Sequence, residues 1–142
     1  MPFVRVDTAE GRSPDEINAP LDATQRTVIA AFNVPQRDRY QVVHEHPASH
    51  FIVDDTGLGV ARTGNWVFFH VTTRGRDREA KEKSYNLLCR ELEATCGIAP
   101  SHVVVTIVTN TDEDWSFGNG RAQFLTGELA SGRKVPSESS PD

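Results

Sequence analysis

The chain has 142 residues, 37% of them hydrophobic and 25% charged, with a formal net charge of −5. This is an ordinary soluble composition, long enough to bury a core, and it excludes a disordered chain. The acidic balance without a basic stripe argues against nucleic-acid binding, and apolar runs of a few residues give no membrane span. The opening residues lack the charged region and apolar core of a signal peptide, so the expected compartment is the cytoplasm.

Residues 2–7 alternate apolar and polar, the pattern of a half-buried strand. Ser13-Pro14-Asp15-Glu16 then combines an N-cap, a proline suited to the first helical turn and a capping-box glutamate. Ile17, Leu21, Val28 and Phe32, with Thr24, form a helical stripe; the helix is expected to bend at Pro20 and end near Asn33. Tyr40 to His46 reads as a strand. After the glycine-rich Gly57-Leu58-Gly59, Asn65 to Thr73 reads as a buried strand, and Asp77 caps a helix of about twenty residues that Gly97 stops. Tyr85, Leu88, Leu92 and Cys96 are its expected apolar face. Val103 to Val108 is almost continuously apolar, as in a strand covered on both faces. Cys89 and Cys96 lie two helical turns apart, too far for a disulfide, and read as small buried apolar residues.

The two rounds superimpose at an offset of 64 residues: Gly11-Arg12-Ser13 falls on Gly75-Arg76-Asp77, and Leu21, Thr24, Val28 and Phe32 on Tyr85, Leu88, Leu92 and Cys96. This predicts an α/β chain made of a duplicated β-α-β unit, its strands forming one four-stranded sheet with both helices on one face. One domain is expected over 2–130, with halves at about 2–46 and 66–109 and a C-terminal arm; the polar stretch 131–142 reads as a disordered tail. The free face of such a sheet needs cover, and another subunit is the simplest cover.

Four groups could do chemistry. Initiator methionine is normally trimmed before a small residue, which would leave the secondary amine of Pro2 at the head of a strand. A terminal amine titrates ordinarily at about 7.7–8.0, close enough to neutrality to act as acid, base or nucleophile. Arg74 and Arg76 flank Gly75 at a strand exit just before a helix, where two guanidinium groups suit a carboxylate. Asp38 lies in the turn Pro35–Tyr40; it could handle a proton or water, or simply pair with Arg37 or Arg39. Trp115, Phe117 and Phe124 stand in and after a turn-rich segment and should cover a pocket or a contact. His44 and His46 point the same way with His50 near, yet no further ligand has metal spacing, and Asp55-Thr56-Gly57 lacks the all-β context of an aspartic protease.

Together, Pro2, Asp38-Arg39-Tyr40-Gln41, Asp54-Asp55-Thr56-Gly57-Leu58-Gly59, Arg74-Gly75-Arg76, Asp114-Trp115-Ser116-Phe117-Gly118 and Phe124-Leu125-Thr126-Gly127 resemble the malonate semialdehyde decarboxylase family of the tautomerase superfamily. The resemblance runs from Pro2 to about Leu129. It implies a homotrimer that needs neither metal nor organic cofactor. It places Pro2, Asp38, Arg74 and Arg76 in catalysis and Trp115, Phe117, Phe124 and Leu129 along the pocket wall. The implied reaction is decarboxylation of 3-oxopropanoate, a small carboxylated aldehyde, to acetaldehyde and carbon dioxide, with hydration as a side activity. The first-helix histidine of the related cis-3-chloroacrylate dehalogenases has no counterpart, since Thr27 or Val28 stands there. The alternatives are a tautomerase or hydratase of another small oxo or unsaturated acid, and a non-catalytic trimeric binding protein.

Overall fold

The computed structural model describes residues 1–129. The expected tail, 131–142, lies outside them. Four strands, β1 (Phe3–Ala9), β2 (Tyr40–His46), β3 (Val67–Arg74) and β4 (Val103–Asn110), form a sheet of order β2-β1-β3-β4. Two 19-residue helices, α1 (Pro14–Phe32) and α2 (Arg78–Cys96), make the crossovers, and a short α3 (Gln123–Thr126) follows the sheet. β1 runs parallel to β2 and β3 parallel to β4, and the two units join by antiparallel β1–β3 pairing.

The 64-residue offset is written in the element limits: Phe3, Pro14 and Phe32 map onto Val67, Arg78 and Cys96, each the start or end of its element. Caps explain the helix limits. The Ser13 side chain accepts from the Glu16 amide while Glu16 reaches back to the Ser13 amide, a full capping box. Asp77 accepts from the Ala80 amide. Both helices end on a left-handed residue, Asn33 and Gly97, where a cap amide donates to a carbonyl of the last turn, that of Ile29 and of Leu92. α1 is assigned as one continuous helix through Pro20; Glu16, whose carbonyl loses its helical partner there, is exposed.

Val4 and Val6 of β1, Val67, Phe69 and Val71 of β3, and Ala23, Val28, Phe32, Leu88 and Leu92 of the helices make the core, with both helices on that one face. Two expectations need correction. Tyr85 is 39% exposed and Ser84 takes the inward place, its hydroxyl satisfied by the Lys81 carbonyl. β4 is an edge strand whose second face is open in the single chain, so Val108 is 58% exposed despite the apolar run. Cys89 and Cys96 are free, as expected, but only half-buried. Among the described residues no helix is long and apolar enough to cross a membrane.

Candidate active site

The antiparallel β1–β3 pairing sets the head of β1 beside the exit of β3. Pro2 is fully buried there, and the α-amine of Met1 lies 3.6 Å from Asp38 Oδ2. Asp38 arrives from the turn before β2 and is only 5% exposed. It does not pair with its neighbours, since Arg39 is drawn to Asp22 at 2.8 Å. Neither carboxylate oxygen has a hydrogen-bond partner. A buried carboxylate without a donor is costly, and burial raises its pKa against the pull of the amine, Arg74 and Arg76. The same burial brings the amine down to about 6; Asp38 opposes this, while Arg76 and Arg74 push the same way.

The two arginines are held differently. Arg76 donates through Nε to the Thr73 hydroxyl at 3.2 Å and through Nη1 to the Phe32 carbonyl at 2.9 Å. Arg74 donates through Nη1 to Asp112 at 2.8 Å, and its guanidinium lies 3.8 Å above the Phe124 ring. Each keeps one buried donor without a partner, Nε of Arg74 and Nη2 of Arg76. Two spare N–H groups from two cations match the two oxygens of one carboxylate. An open cleft beside them is lined by Thr109, Asn110, Asp112 and Leu125.

The aromatic segment forms a wall. Trp115 stacks on Phe117 at 5.4 Å between centroids, and Phe117 meets Phe124 edge-on at 5.4 Å and Tyr40 at 5.7 Å. Trp115 Nε1 donates to Asn110 at 2.8 Å. The Gln123 side-chain amide fixes this wall at Phe117–Gly118, accepting from the Phe117 amide and donating to the Gly118 carbonyl, each at 2.9 Å. Leu129 closes the α3 turn through its amide, which donates to the Gln123 carbonyl at 3.1 Å. Thus Pro2, Asp38, Arg74 and Arg76 gather at one sheet end, Phe124 packs against Arg74, and Phe117 and Trp115 follow it in the aromatic wall. Sequence reasoning missed Asp112, Gln123 and Thr73, ordinary polar residues in no motif; the partner of Asp112 lies 38 residues away, and those of Gln123 and Thr73 lie within six.

The histidines lie apart from this end. His46 Nε2 meets the buried Asp7 Oδ1 at 2.6 Å on the open sheet face, and His70 Nε2 is 3.1 Å from Asp7 Oδ2. With Arg5 they hold the Asp7 pKa down against burial. Among the described residues no group of three or more His, Cys, Asp or Glu could hold a metal ion.

Known proteins resemble this chain in sequence and fold. Residues 38–118 match one tautomerase-enzyme family and residues 2–61 another. A probable tautomerase of Bacillus subtilis (strain 168), YrdN, is 52% identical over 91% of this chain and 100% of its own length. YusQ of the same organism, also a probable tautomerase, is 33% identical over 88% of this chain and 99% of its own. A malonate semialdehyde decarboxylase structure, solved to explain decarboxylase and hydratase activities, is 44% identical over 89% of this chain and 98% of its own, with a TM-score of 0.88. A second, FG41 malonate semialdehyde decarboxylase inhibited by 3-bromopropiolate, is 37% identical over 91% and 98%, also at 0.88. Native fused 4-OT shares the fold at a TM-score of 0.72 and 14% identity, over 87% of this chain and 98% of its own. The chain therefore belongs to the tautomerase family.

Proposed function

We propose that this protein is a homotrimeric, cofactor-independent decarboxylase that converts 3-oxopropanoate to acetaldehyde and carbon dioxide through the amine of Pro2, freed by removal of Met1. The observation that carries the reading is the pairing of the Met1 amine, next to Pro2 and 3.6 Å from a buried and otherwise unpartnered Asp38, with two spare guanidinium donors nearby. The two decarboxylases of similar sequence and fold support the substrate. The open sheet face supports assembly, and a fused 4-OT of the same fold is a symmetric trimer.

The chemistry follows from the charges. Arg74 Nε and Arg76 Nη2 hold the carboxylate, setting the bond to be broken perpendicular to the carbonyl plane. Burial lowers the pKa of the Met1 amine at this end; the same desolvation would favour a neutral Pro2 amine, whose lone pair can attack the aldehyde carbon. Loss of water leaves an iminium, an electron sink for the carbon–carbon bond pair as carbon dioxide departs. The resulting enamine takes a proton at carbon from Asp38, whose raised pKa suits a donor. Water then releases acetaldehyde and restores the amine; the net reaction consumes one proton. The Trp115, Phe117 and Phe124 wall keeps the site dry, which favours the spreading of carboxylate charge.

Proton transfer alone is the second reading. Burial of the kind that lowers the Met1 amine would also suit a Pro2 amine to general-base work, and the sequence relatives are named probable tautomerases. Proton NMR of 3-oxopropanoate with the processed protein and with Pro2→Ala separates the two. Acetaldehyde and its hydrate, formed by the parent and strongly reduced in the variant, are expected. Exchange of the C2 protons into deuterated water without acetaldehyde would sink the decarboxylase reading in favour of the tautomerase.

A further inference from the structure

Asp38 reaches the site from a turn, and one side chain from another element grips that turn. The turn closes by the Asp38 amide donating to the Pro35 carbonyl at 3.0 Å. Gln25, on α1 and only 6% exposed, donates through Nε2 to the Gln36 and Asp38 carbonyls, each at 3.2 Å. A primary amide carries two protons, so one group serves both carbonyls and ties the turn to the helix.

The duplicated unit supplies an internal control. At the 64-residue offset, the His102 amide donates to the Ala99 carbonyl at 2.9 Å, closing the same turn. There the residue equivalent to Gln25 is Cys89, a poor donor, and among the described residues no side chain of α2 donates to that turn; Arg62, from the loop before β3, donates through Nε to the Ser101 carbonyl at 3.1 Å instead. The turn therefore forms without a clamp from the helix. The helix clamp, which reaches the carbonyl of residue 38 itself, is found on the copy that carries a buried carboxylate with no hydrogen-bond partner. Left free, Asp38 could swing toward Arg37 or Arg39, beside it in sequence. With its main chain held, the carboxylate stays 3.6 Å from the terminal amine.

We propose that Gln25 is a positioning residue that acts through the main chain of Asp38, touching neither substrate nor amine. The inference rests on the role read above for Asp38. It is tested by steady-state kinetics on 3-oxopropanoate with Gln25→Met, Asp38→Asn and the double variant, each first checked for folding by circular dichroism. Methionine keeps length and volume but donates nothing. The expected result is a kcat about tenfold lower for Gln25→Met with KM within twofold, a distorted pH–rate profile, and no further loss when the change is added to Asp38→Asn. Unchanged kcat and pH profile in Gln25→Met, or a loss that adds in full to that of Asp38→Asn, overturns the inference. Full activity of Asp38→Asn would instead overturn the role of Asp38 itself. Gln25→Glu is a second variant should Gln25→Met not fold: its carboxylate donates only when protonated, so its activity relative to the parent should fall as pH rises. A constant ratio across pH overturns the inference.

Discussion

The two ends of the central β1–β3 pair are built alike and furnished differently. At one end stand Pro2, Asp38, Arg74 and Arg76; the 64-residue offset maps these onto Trp66, His102, Glu10 and Arg12 at the other. The second end has no amine, because residue 66 lies inside the chain and its nitrogen is a peptide amide; a buried indole, Trp66, stands in the place of Pro2. Its arginine is engaged, donating to the Asn65 carbonyl at 3.0 Å and to the Thr8 hydroxyl. His102 stands where the acid would be, and its ring accepts from the Thr63 amide at 3.0 Å. The duplication therefore supplies turns, caps and strand exits twice, while chemistry follows only where an amine, a desolvated acid and uncommitted cationic donors coincide.

The largest effect that could break this comparison concerns the matched arginines. Arg76→Ala should lower kcat/KM on 3-oxopropanoate about 100- to 1,000-fold, as expected for stripping a buried charged partner from a carboxylate, whereas Arg12→Ala should stay within about twofold, as for a residue off the reaction path. Similar losses in both would mean that the two ends share function.

Asp38→Asn comes next. Asp38 raises the pKa of the Met1 amine; acting likewise on the Pro2 amine of the processed chain, its removal should shift the acid limb of the pH–rate profile to lower pH as well as slow the reaction. The sign for stability is opposite. Burial makes the folded protein hold the Asp38 proton more tightly than the unfolded chain, so this group favours folding at low pH and opposes it as pH rises through its folded pKa. At neutral pH the asparagine variant should melt higher than the parent in calorimetry; a lower melting temperature would contradict the uncompensated carboxylate.

A smaller effect tests how Arg74 is held. Asp112→Ala should raise KM about five- to tenfold with kcat little changed, the signature of weakened substrate binding. Asp112→Asn, which still accepts from Arg74 Nη1, should remain close to the parent. The smallest effects should be equal: Ser13→Ala and Asp77→Ala each remove an N-cap and should cost about 1 kcal/mol in thermal unfolding without altering kcat. Unequal costs would show that the shared frame is less symmetric than its element limits.

The frame was legible because its signals are local. Ser13-Pro14-Asp15-Glu16, Asn33, Asp77 and Gly97 declare the helix ends through residues that bond within a turn, and those ends are where the structure has them. Pro2, Asp38 and the two arginines were legible as candidates, and the sheet order brings them together. Thr73 and Gln123 stayed hidden although their partners are local, because they belong to no capping or turn pattern, and other contacts depend on partners farther along the chain. Gln25 reaches Asp38 across 13 residues and Arg74 reaches Asp112 across 38, and neither spacing has a sequence signature. Tyr85 misled because its neighbour Ser84 can satisfy its hydroxyl on the preceding turn and so turn inward. The apolar run of β4 misled because hydrophobicity reports that a face will be covered, not that the same chain covers it.

The antiparallel joint has a kinetic consequence. Each β-α-β unit closes over a few tens of residues, whereas β1 and β3 meet only across a separation of about 60, the slower class of contact to form. Pro2 lies on one side of that joint and Arg74 and Arg76 on the other. Helical signal should therefore return before turnover on refolding, with activity timing the docking of the two units.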